Sequence, residues 1–213
     1  MSDDEPSNVI GVDEAGKGPV LGSMFVAGVR TPGDGFDFEV RDSKKLSEPR
    51  RREIYGRLTE YDYSVVEVTP QEIDEYVDEG GMNRLVVEAQ SEAVRRLDPD
   101  GDEKIVVDAS DTSAERFGRR VSEETGYEVT AEHGADESYD AVAGASVIAK
   151  VERDSHIESL GDVGSGYPSD SKTIEYLREY VEENRSLPGF ARESWSTAER
   201  ILDEAKQSGI DDF

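Results

Sequence analysis

Short apolar runs alternate along this chain with longer segments in which apolar residues recur at helical spacing. Five runs have the length of buried strands, at residues 9–12, 20–29, 63–68, 104–108 and 127–131. Helical spacing or helix start and stop signals mark residues 47–61, 70–79, 83–97, 113–125, 137–160, 170–184 and 194–207. The order ββαβααβαβα, followed by two helices, predicts a mixed α/β sheet with helices on its faces, in which the second strand pairs antiparallel with the first.

The large excess of acidic residues indicates a high-salt environment but does not identify a binding partner. Its 213 residues include 50 Asp and Glu against 24 Lys and Arg, of which seven are Lys, so the formal net charge is −26. Such a charge normally repels nucleic acid. In near-saturated salt, however, the Debye length falls to roughly 3 Å or less, and distant charges hardly interact. Because apolar periodic segments argue against a disordered acidic chain, we expect a folded cytoplasmic protein of a halophile, and the charge leaves its function open.

Composition also excludes several kinds of protein and site. No stretch approaches 18 uncharged apolar residues and the first residues are acidic, so we expect no membrane span, secretory signal or transit peptide. The chain has no cysteine, which excludes disulfides, thiolate metal sites and a cysteine nucleophile. With two histidines, His133 and His156, any metal ion must be bound mainly by oxygen ligands, which favours Mg²⁺ or Mn²⁺.

Acidic residues stand at the ends of two predicted strands. Asp13 and Glu14 follow the first run, Asp108 ends the fourth, and Asp136 precedes the fifth helix. Parallel neighbouring strands expose their carboxyl ends at the same edge of a sheet. Carboxylates that converge there repel one another unless divalent cations neutralise them, and two hard cations about 3.5–4 Å apart can drive phosphodiester hydrolysis. The pattern alone leaves a second interpretation open, in which these acids are loop caps of an acid-rich chain.

Six motifs stand in order along most of residues 9–200. They are GVDEAGKGPVLG at 11–22, RDSKKL at 41–46, VDA at 107–109, HGAD at 133–136, ASVIAKVERD at 145–154 and GSGYPSD at 164–170. In this order they resemble the type 2 ribonucleases H (ribonuclease HII), and most of all their archaeal branch. The resemblance implies a ribonuclease H-like fold, with a mixed five-stranded sheet flanked by helices and a C-terminal helical extension.

The resemblance also implies a metal-dependent endonuclease. The catalytic, metal-binding tetrad of the family falls on Asp13, Glu14, Asp108 and Asp136, which would hold two Mg²⁺ or Mn²⁺ ions. Asp140, one helical turn further along, is then a surface charge. The implied activity hydrolyses the RNA strand of RNA–DNA hybrids and nicks duplex DNA on the 5′ side of a single ribonucleotide, leaving 5′-phosphate and 3′-hydroxyl ends.

Substrate contacts follow from the same resemblance. In the family, the turn after the first strand and a tyrosine of the GYPSD-like segment read the 2′-hydroxyl. The substrate-binding residues implied here are Gly16, Lys17, Gly18, Ser43, Lys44, Lys45, Ser146, Lys150 and Tyr167. Most members carry Arg where this chain has Lys17, which removes a bidentate phosphate contact and leaves open a related nuclease that cuts only long hybrids.

Other interpretations of single residues also stay open. Without the family, Tyr167 reads as a half-buried aromatic that packs on the Gly-rich break, and the lysines read as surface charge. His133 either shuttles protons or is structural, whereas His156 and Trp195 are assigned to the structure. Outside the nucleases, half of an actin-like or sugar-kinase ATPase also places an Asp at a strand end, but no Walker A sequence or GxGxxG follows a strand here.

The last seven residues have the form Q-x-x-aliphatic-x-x-aromatic, with Gln207, Ile210 and Phe213 at the marked positions. This form resembles the peptide by which replication and repair proteins dock on the DNA sliding clamp. We therefore expect three parts: a catalytic core at 1–163, a helical region at 164–206 that completes the substrate cleft, and a possible clamp-binding tail at 207–213. We also expect a monomer that binds no membrane.

Overall fold

The computed structural model describes residues 8–33, 35–40, 47–79 and 81–208. Its strands are β1 (Val9–Ala15), β2 (Met24–Thr31), β3 (Tyr63–Val68), β4 (Lys104–Asp108) and β5 (Val129–Glu132). Its helices are α1 (Glu48–Leu58), α2 (Pro70–Glu79), α3 (Met82–Arg96), α4 (Ala114–Thr125), α5 (Asp140–Ser159), α6 (Ser171–Asn184) and α7 (Ser196–Ser208). The order of elements predicted from the sequence is confirmed.

One mixed sheet contains the five strands, in the order β3-β2-β1-β4-β5. β1 pairs antiparallel with β2, as predicted, and parallel with β4, which in turn pairs parallel with β5. The fold class is therefore the one expected: a five-stranded mixed sheet flanked by helices.

Several element boundaries differ from the prediction, and two elements begin three or more residues later than predicted. The second strand begins at Met24 rather than at residue 20, because Gly22 takes a left-handed conformation (φ 81°) and Leu21 forms an isolated antiparallel bridge with Ala191. The fifth helix begins at Asp140 rather than at 137, because a 3₁₀ turn at Ala135–Glu137 comes first. Both differences arise from backbone conformations that hydrophobic periodicity does not encode.

The chain divides into two compact units. Of the described residues, the first contains those within 8–15, 25–67 and 83–152, and the second contains those within 16–24, 68–82 and 153–208. The domain boundaries expected after residues 163 and 206 stay a prediction.

The first unit covers both faces of β2. Ala27 and Val29 pack with buried residues of α1 and α5. Gly28, which points to the other face, lies against Ser64 and Leu97, so that a Cβ there would come 3.0 Å from Leu97 Cδ1. Alternate residues of the strand therefore meet different layers, as the two-residue repeat of a strand requires.

Close packing of α5 on the sheet depends on small residues. A Cβ on Gly11 would come within 2.2 Å of the backbone of Ala141 and Val142. Gly144 is similarly enclosed by side chains of Leu58 and Phe36. The helix therefore approaches β1 more closely than any residue with a side chain at position 11 permits.

The second unit has an apolar core of its own. Buried residues of α6 and α7, among them Leu177, Val181 and Ile201, cluster with Val20 and Leu21. Trp195 packs partly buried against this cluster, in agreement with its assignment to the structure. No helix in the described part of the chain is both long and apolar enough to cross a membrane.

Candidate active site

Asp13 and Glu14 leave β1 on opposite faces of the sheet, because side chains alternate along a strand. Asp13 shares the face of Gly11, which α5 covers. β4 runs parallel to β1 with Val107 beside Val12, so Asp108 ends the neighbouring strand at the same edge. The parallel pairing thus brings three of the predicted acids to one edge of the sheet.

The carboxylate of Asp13 is buried and strongly perturbed. The Ser146 side chain and the backbone N–H of Glu14 hydrogen-bond to it, the latter over 2.7 Å. The Lys150 ammonium in turn donates to Ser146 Oγ over 3.0 Å. Burial, and then the negative charges of Glu14 and Asp108, raise the pKa of Asp13 well above its usual value. A cation bound beside this carboxylate would relieve that repulsion.

Two residues that the sequence analysis did not single out hold the carboxylate of Glu14. Gln90 Nε2 donates to Glu14 Oε2 over 2.7 Å and to the Asp108 carbonyl over 3.1 Å, and the Ser110 hydroxyl donates to Glu14 Oε1 over 2.7 Å. Gln90 is fully buried, and its Oε1 has no hydrogen-bond partner among the described residues. The sequence does contain one signal for this role, because a glutamine stands within the apolar stripe of α3.

Asp108 and Asp136 are linked through the short turn after β5. The Ala135 backbone N–H donates to Asp108 Oδ1 over 2.8 Å, and the next residue, Asp136, is buried. Among the residues that the structure describes, no three or more Asp, Glu or His side chains are arranged to hold a metal ion as they stand. The fit to a metal therefore rests on donor chemistry, since these are hard oxygens and the Asp13 carboxylate is buried beside like charges.

Asp140, the alternative fourth acid, lies elsewhere. It lines a small cavity with Val9 and Thr31, at the opposite end of β1 from Asp13. Its Oδ2 would come 3.0 Å from a Cβ on Gly35. This position separates Asp140 from the edge at which Asp13 and Asp108 stand.

The two histidines occupy different surroundings. His133 Nδ1 lies 3.3 Å from the Ala109 carbonyl oxygen, one residue beyond Asp108. The His156 ring packs against Gly22, where a Cβ would come 3.1 Å from its Cδ2. His133 therefore lies next to a strand-end acid, and His156 lies within the second unit.

The second unit brings together several of the predicted substrate-binding residues. Gly18 is exposed, and a Cβ on it would come 3.7 Å from Tyr167 Cε1. The Arg153 guanidinium lies 4.7 Å from the centre of the Tyr167 ring and donates to the Ser165 carbonyl. Gly16, with φ 89°, needs the left-handed conformation that glycine adopts readily. The turn at 16–18 and the ring of Tyr167 therefore share one surface.

A buried arginine that the sequence analysis did not single out supports this turn. The Arg192 guanidinium donates to three carbonyls: Gly16 over 2.6 Å, Lys17 over 3.0 Å and Gly22 over 3.0 Å. Its side chain is fully buried. The sequence around residues 190–195 gives no sign that Arg192 supports the turn, because the partners of Arg192 lie more than 160 positions earlier in the chain.

Five predicted site residues cannot be placed. Ser43, Lys44, Lys45, Ile210 and Phe213 lie outside the described residues. Gln207 is exposed near the end of α7. Ser146 and Lys150, expected at the substrate backbone, lie beside Asp13 as described above.

Known proteins resemble this chain along nearly all of its length. The model of the Ribonuclease HII family matches residues 10–198. The ribonuclease HII of Halobacterium salinarum is 48% identical, over 95% of this chain and 98% of that protein. The structure of ribonuclease H2 from Pyrococcus horikoshii OT3 has a TM-score of 0.85 at 37% identity, over 94% of this chain and 99% of that one. A chain of the PCNA:RNase HII complex from Archaeoglobus fulgidus has a TM-score of 0.79 at 40% identity, over 88% and 95%.

Proposed function

This chain belongs to the ribonuclease HII family, a family of ribonuclease H hydrolases, and from that premise we propose that it nicks duplex DNA on the 5′ side of a single embedded ribonucleotide and also cuts the RNA strand of RNA–DNA hybrids. The products carry 5′-phosphate and 3′-hydroxyl ends. The family match leaves no support for the ATPase alternative, whose features would have to occupy the same residues.

The observation that carries the proposal is the meeting of Asp13, Glu14 and Asp108 at one edge of the sheet, with the pKa of Asp13 raised by burial and by its acidic neighbours. We propose that these three acids and Asp136 hold two Mg²⁺ or Mn²⁺ ions. When bound, such ions lower the pKa of a water molecule and stabilise negative charge on a leaving oxygen.

The chain itself supplies orientation at this edge. Gln90 and Ser110 fix both oxygens of Glu14, and the Ala135 N–H fixes one oxygen of Asp108. Ser146 hydrogen-bonds to Asp13 and receives a hydrogen bond from Lys150. Side chains held in this way lose little conformational freedom when they bind a cation or a phosphate. The site is therefore pre-organised for binding.

Recognition of the ribonucleotide is assigned to the turn at 16–18 and to Tyr167. The Tyr167 ring is 37% exposed although Arg153 packs against it, so one part of the ring stays accessible to a sugar. Lys17 supplies a point charge rather than the planar fork of arginine, and Ser43, Lys44 and Lys45 are proposed to contact phosphates. Tyr167→Phe should weaken cutting at a single ribonucleotide more than cutting of a continuous hybrid, and equal losses would remove the sugar-reading role.

The decisive experiment offers the protein two duplexes in high salt with Mg²⁺ or Mn²⁺. One contains a single ribonucleotide and the other is a continuous RNA–DNA hybrid. We expect one nick on the 5′ side of the ribonucleotide, lost in Asp13→Asn, Asp108→Asn and Asp136→Asn. The matched control is Asp140→Asn, an acid at the other end of β1, which should cut normally. Cutting of the hybrid alone would favour the hybrid-only nuclease that Lys17 leaves open.

We also propose that the tail at 207–213 binds the sliding clamp. The chain resembles a component of a PCNA:RNase HII complex, and Gln207 is exposed where α7 ends. Deletion of residues 207–213 should abolish capture by the clamp and leave nuclease activity intact. Unchanged capture would exclude the tail as the docking peptide. We also propose the cytoplasmic location, the halophilic setting and the monomeric state that are expected from the sequence.

A further inference from the structure

The segment at residues 190–192 is fixed against the turn by backbone pairing. Arg192 N donates to the Val20 carbonyl over 2.9 Å, and Gly22 N donates to the Phe190 carbonyl over 2.8 Å. These bonds flank the bridge between Leu21 and Ala191. The Arg192 side chain therefore starts from a defined position beside the 16–22 segment.

A second tie holds the residues that follow. Asp74, in α2, accepts hydrogen bonds from the backbone N–H groups of Glu193 and Ser194, over 2.8 and 3.0 Å. Trp195 Nε1 donates to the Gly18 carbonyl over 3.2 Å, and the Arg192 guanidinium lies 5.0 Å from the centre of the Trp195 ring. Residues 192–195 therefore form a rigid support for the turn.

The three donors of Arg192 reach three backbone carbonyls of the 16–22 segment. A guanidinium presents its N–H groups in a planar fork, which can reach Gly16, Lys17 and Gly22 at once, whereas a lysine ammonium acts as a point. Burial, and then the nearby charge of Arg153, lower the pKa of Arg192 to about 10, so it remains charged at neutral pH. A charged donor makes each of these hydrogen bonds stronger than a neutral one.

The direction of these carbonyls fixes the direction of the neighbouring N–H groups. In a trans peptide unit the C=O and the following N–H point in opposite directions. The peptide from Gly16 to Lys17 and the peptide from Lys17 to Gly18 both turn their oxygens towards Arg192. The N–H groups of Lys17 and Gly18 therefore point away from it, as two successive donors of the kind that cradle an anion.

We propose that Arg192 is a positioning residue, which holds the 16–18 turn in the orientation that presents the Lys17 and Gly18 N–H groups to the sugar-phosphate at a ribonucleotide. Arg192 itself touches no substrate in this scheme. The inference rests on the proposed function, because it assigns a cause to the recognition that the turn performs there.

The test compares Arg192→Lys with Arg178→Lys, an exposed arginine of α6 that serves as the matched control. For Arg192→Lys, the KM for the single-ribonucleotide duplex should rise about tenfold, the effect expected when a charged hydrogen bond that orients the turn is lost, while kcat changes little. Amide hydrogen exchange at residues 17 and 18 should quicken by a similar factor, while exchange within α6 stays unchanged. Arg178→Lys should change neither quantity.

Trp195→Phe keeps the proposal testable if Arg192→Lys does not fold. It removes the N–H donor to the Gly18 carbonyl, together with part of the ring that packs in the second unit, and should raise the same KM by a smaller factor. Faster exchange at residues 17 and 18 with an unchanged KM would overturn the proposal, and so would unchanged exchange. If the wild-type protein does not cut at a single ribonucleotide, the proposed function fails instead, and exchange alone still decides whether Arg192 orients the turn.

Discussion

Replacement of Gly11 by alanine is the sharpest test of how the site is built. The added Cβ would lie 2.2 Å from backbone atoms of Ala141 and Val142, about 1.2 Å inside the 3.4 Å at which ordinary contact begins. Backbone atoms of a helix cannot rotate aside as a side chain can, so α5 as a whole must move away from β1. Overpacking of this kind costs about 3 kcal/mol or more in the free energy of unfolding.

The same displacement should reach the chemistry. α5 carries Ser146, which hydrogen-bonds to Asp13 two residues beyond Gly11. A shift of about 1 Å in a positioned group can lower a rate by about a hundredfold. We therefore expect Gly11→Ala to lose activity by about that factor even after correction for the fraction of folded protein.

Two other glycines calibrate the measurement. A Cβ on Gly28 would come 2.9 Å from Ser64 Oγ and 3.0 Å from Leu97 Cδ1, atoms of side chains that can move, so Gly28→Ala should cost about 1 kcal/mol. Gly56, inside α1, has no atom within 4 Å of the added methyl, so Gly56→Ala should stabilise by about 0.5–1 kcal/mol. Urea unfolding at one fixed salt concentration gives all three values. A Gly11→Ala protein within 1 kcal/mol of the wild type would refute the reasoning.

Two further predictions concern ion pairs of the first unit. Arg30 donates to Glu103 over 2.7 Å and to the Leu97 carbonyl over 2.6 Å. Arg30→Met should therefore leave a nearly buried carboxylate unpaired and lower the free energy of unfolding in urea by about 2–4 kcal/mol. Adding Glu103→Gln to that variant should restore part of the loss. The Asp111 carboxylate accepts hydrogen bonds from Arg116, which lower its pKa from 3.8 to about 2. Because the folded pKa is the lower one, this pair stabilises the fold above about pH 4, and the contribution is lost as the pH falls towards 2. Asp111→Asn should therefore flatten the dependence of stability on pH across that interval, and an unchanged slope would show that the pair contributes nothing.

The sequence predicts what local pattern and topology determine together. The run 9–12 followed by Asp13 and Glu14, and the run 104–108 ending in Asp108, are visible as strands with acidic ends. Parallel pairing of neighbouring strands then places the acids at one edge without any knowledge of side-chain contacts. For this reason the fold and the position of three acids could be predicted.

The supports of the site could not be predicted, because they join residues that are far apart along the chain. Gln90 contacts Glu14 across 76 positions, and Arg192 contacts Gly16 across 176. Residues 20–23 do not pair with β1, although the apolar run predicts that they do. The reason is again a distant partner, since Leu21 bridges to Ala191 rather than to β1. Local periodicity cannot distinguish such a residue from an ordinary member of an apolar stripe or of a surface loop.

The response of substrate binding to salt should be opposite to that of an ordinary nucleic-acid-binding protein. Most proteins lose affinity steeply as salt rises, because their basic side chains release counterions from the phosphates. Here the net charge is −26, so the excess of acidic side chains repels the duplex. Salt screens exposed charges strongly but buried ones such as Asp13 weakly, so it should remove the repulsion and leave the proposed site intact.

We expect the Kd for a ribonucleotide-containing duplex to fall as KCl rises from about 0.5 to about 2 M, with circular dichroism showing that the protein stays folded. A Kd that rises steadily with salt would show that direct phosphate contacts outweigh the acidic surface, and that the acid excess has no part in setting the conditions for binding.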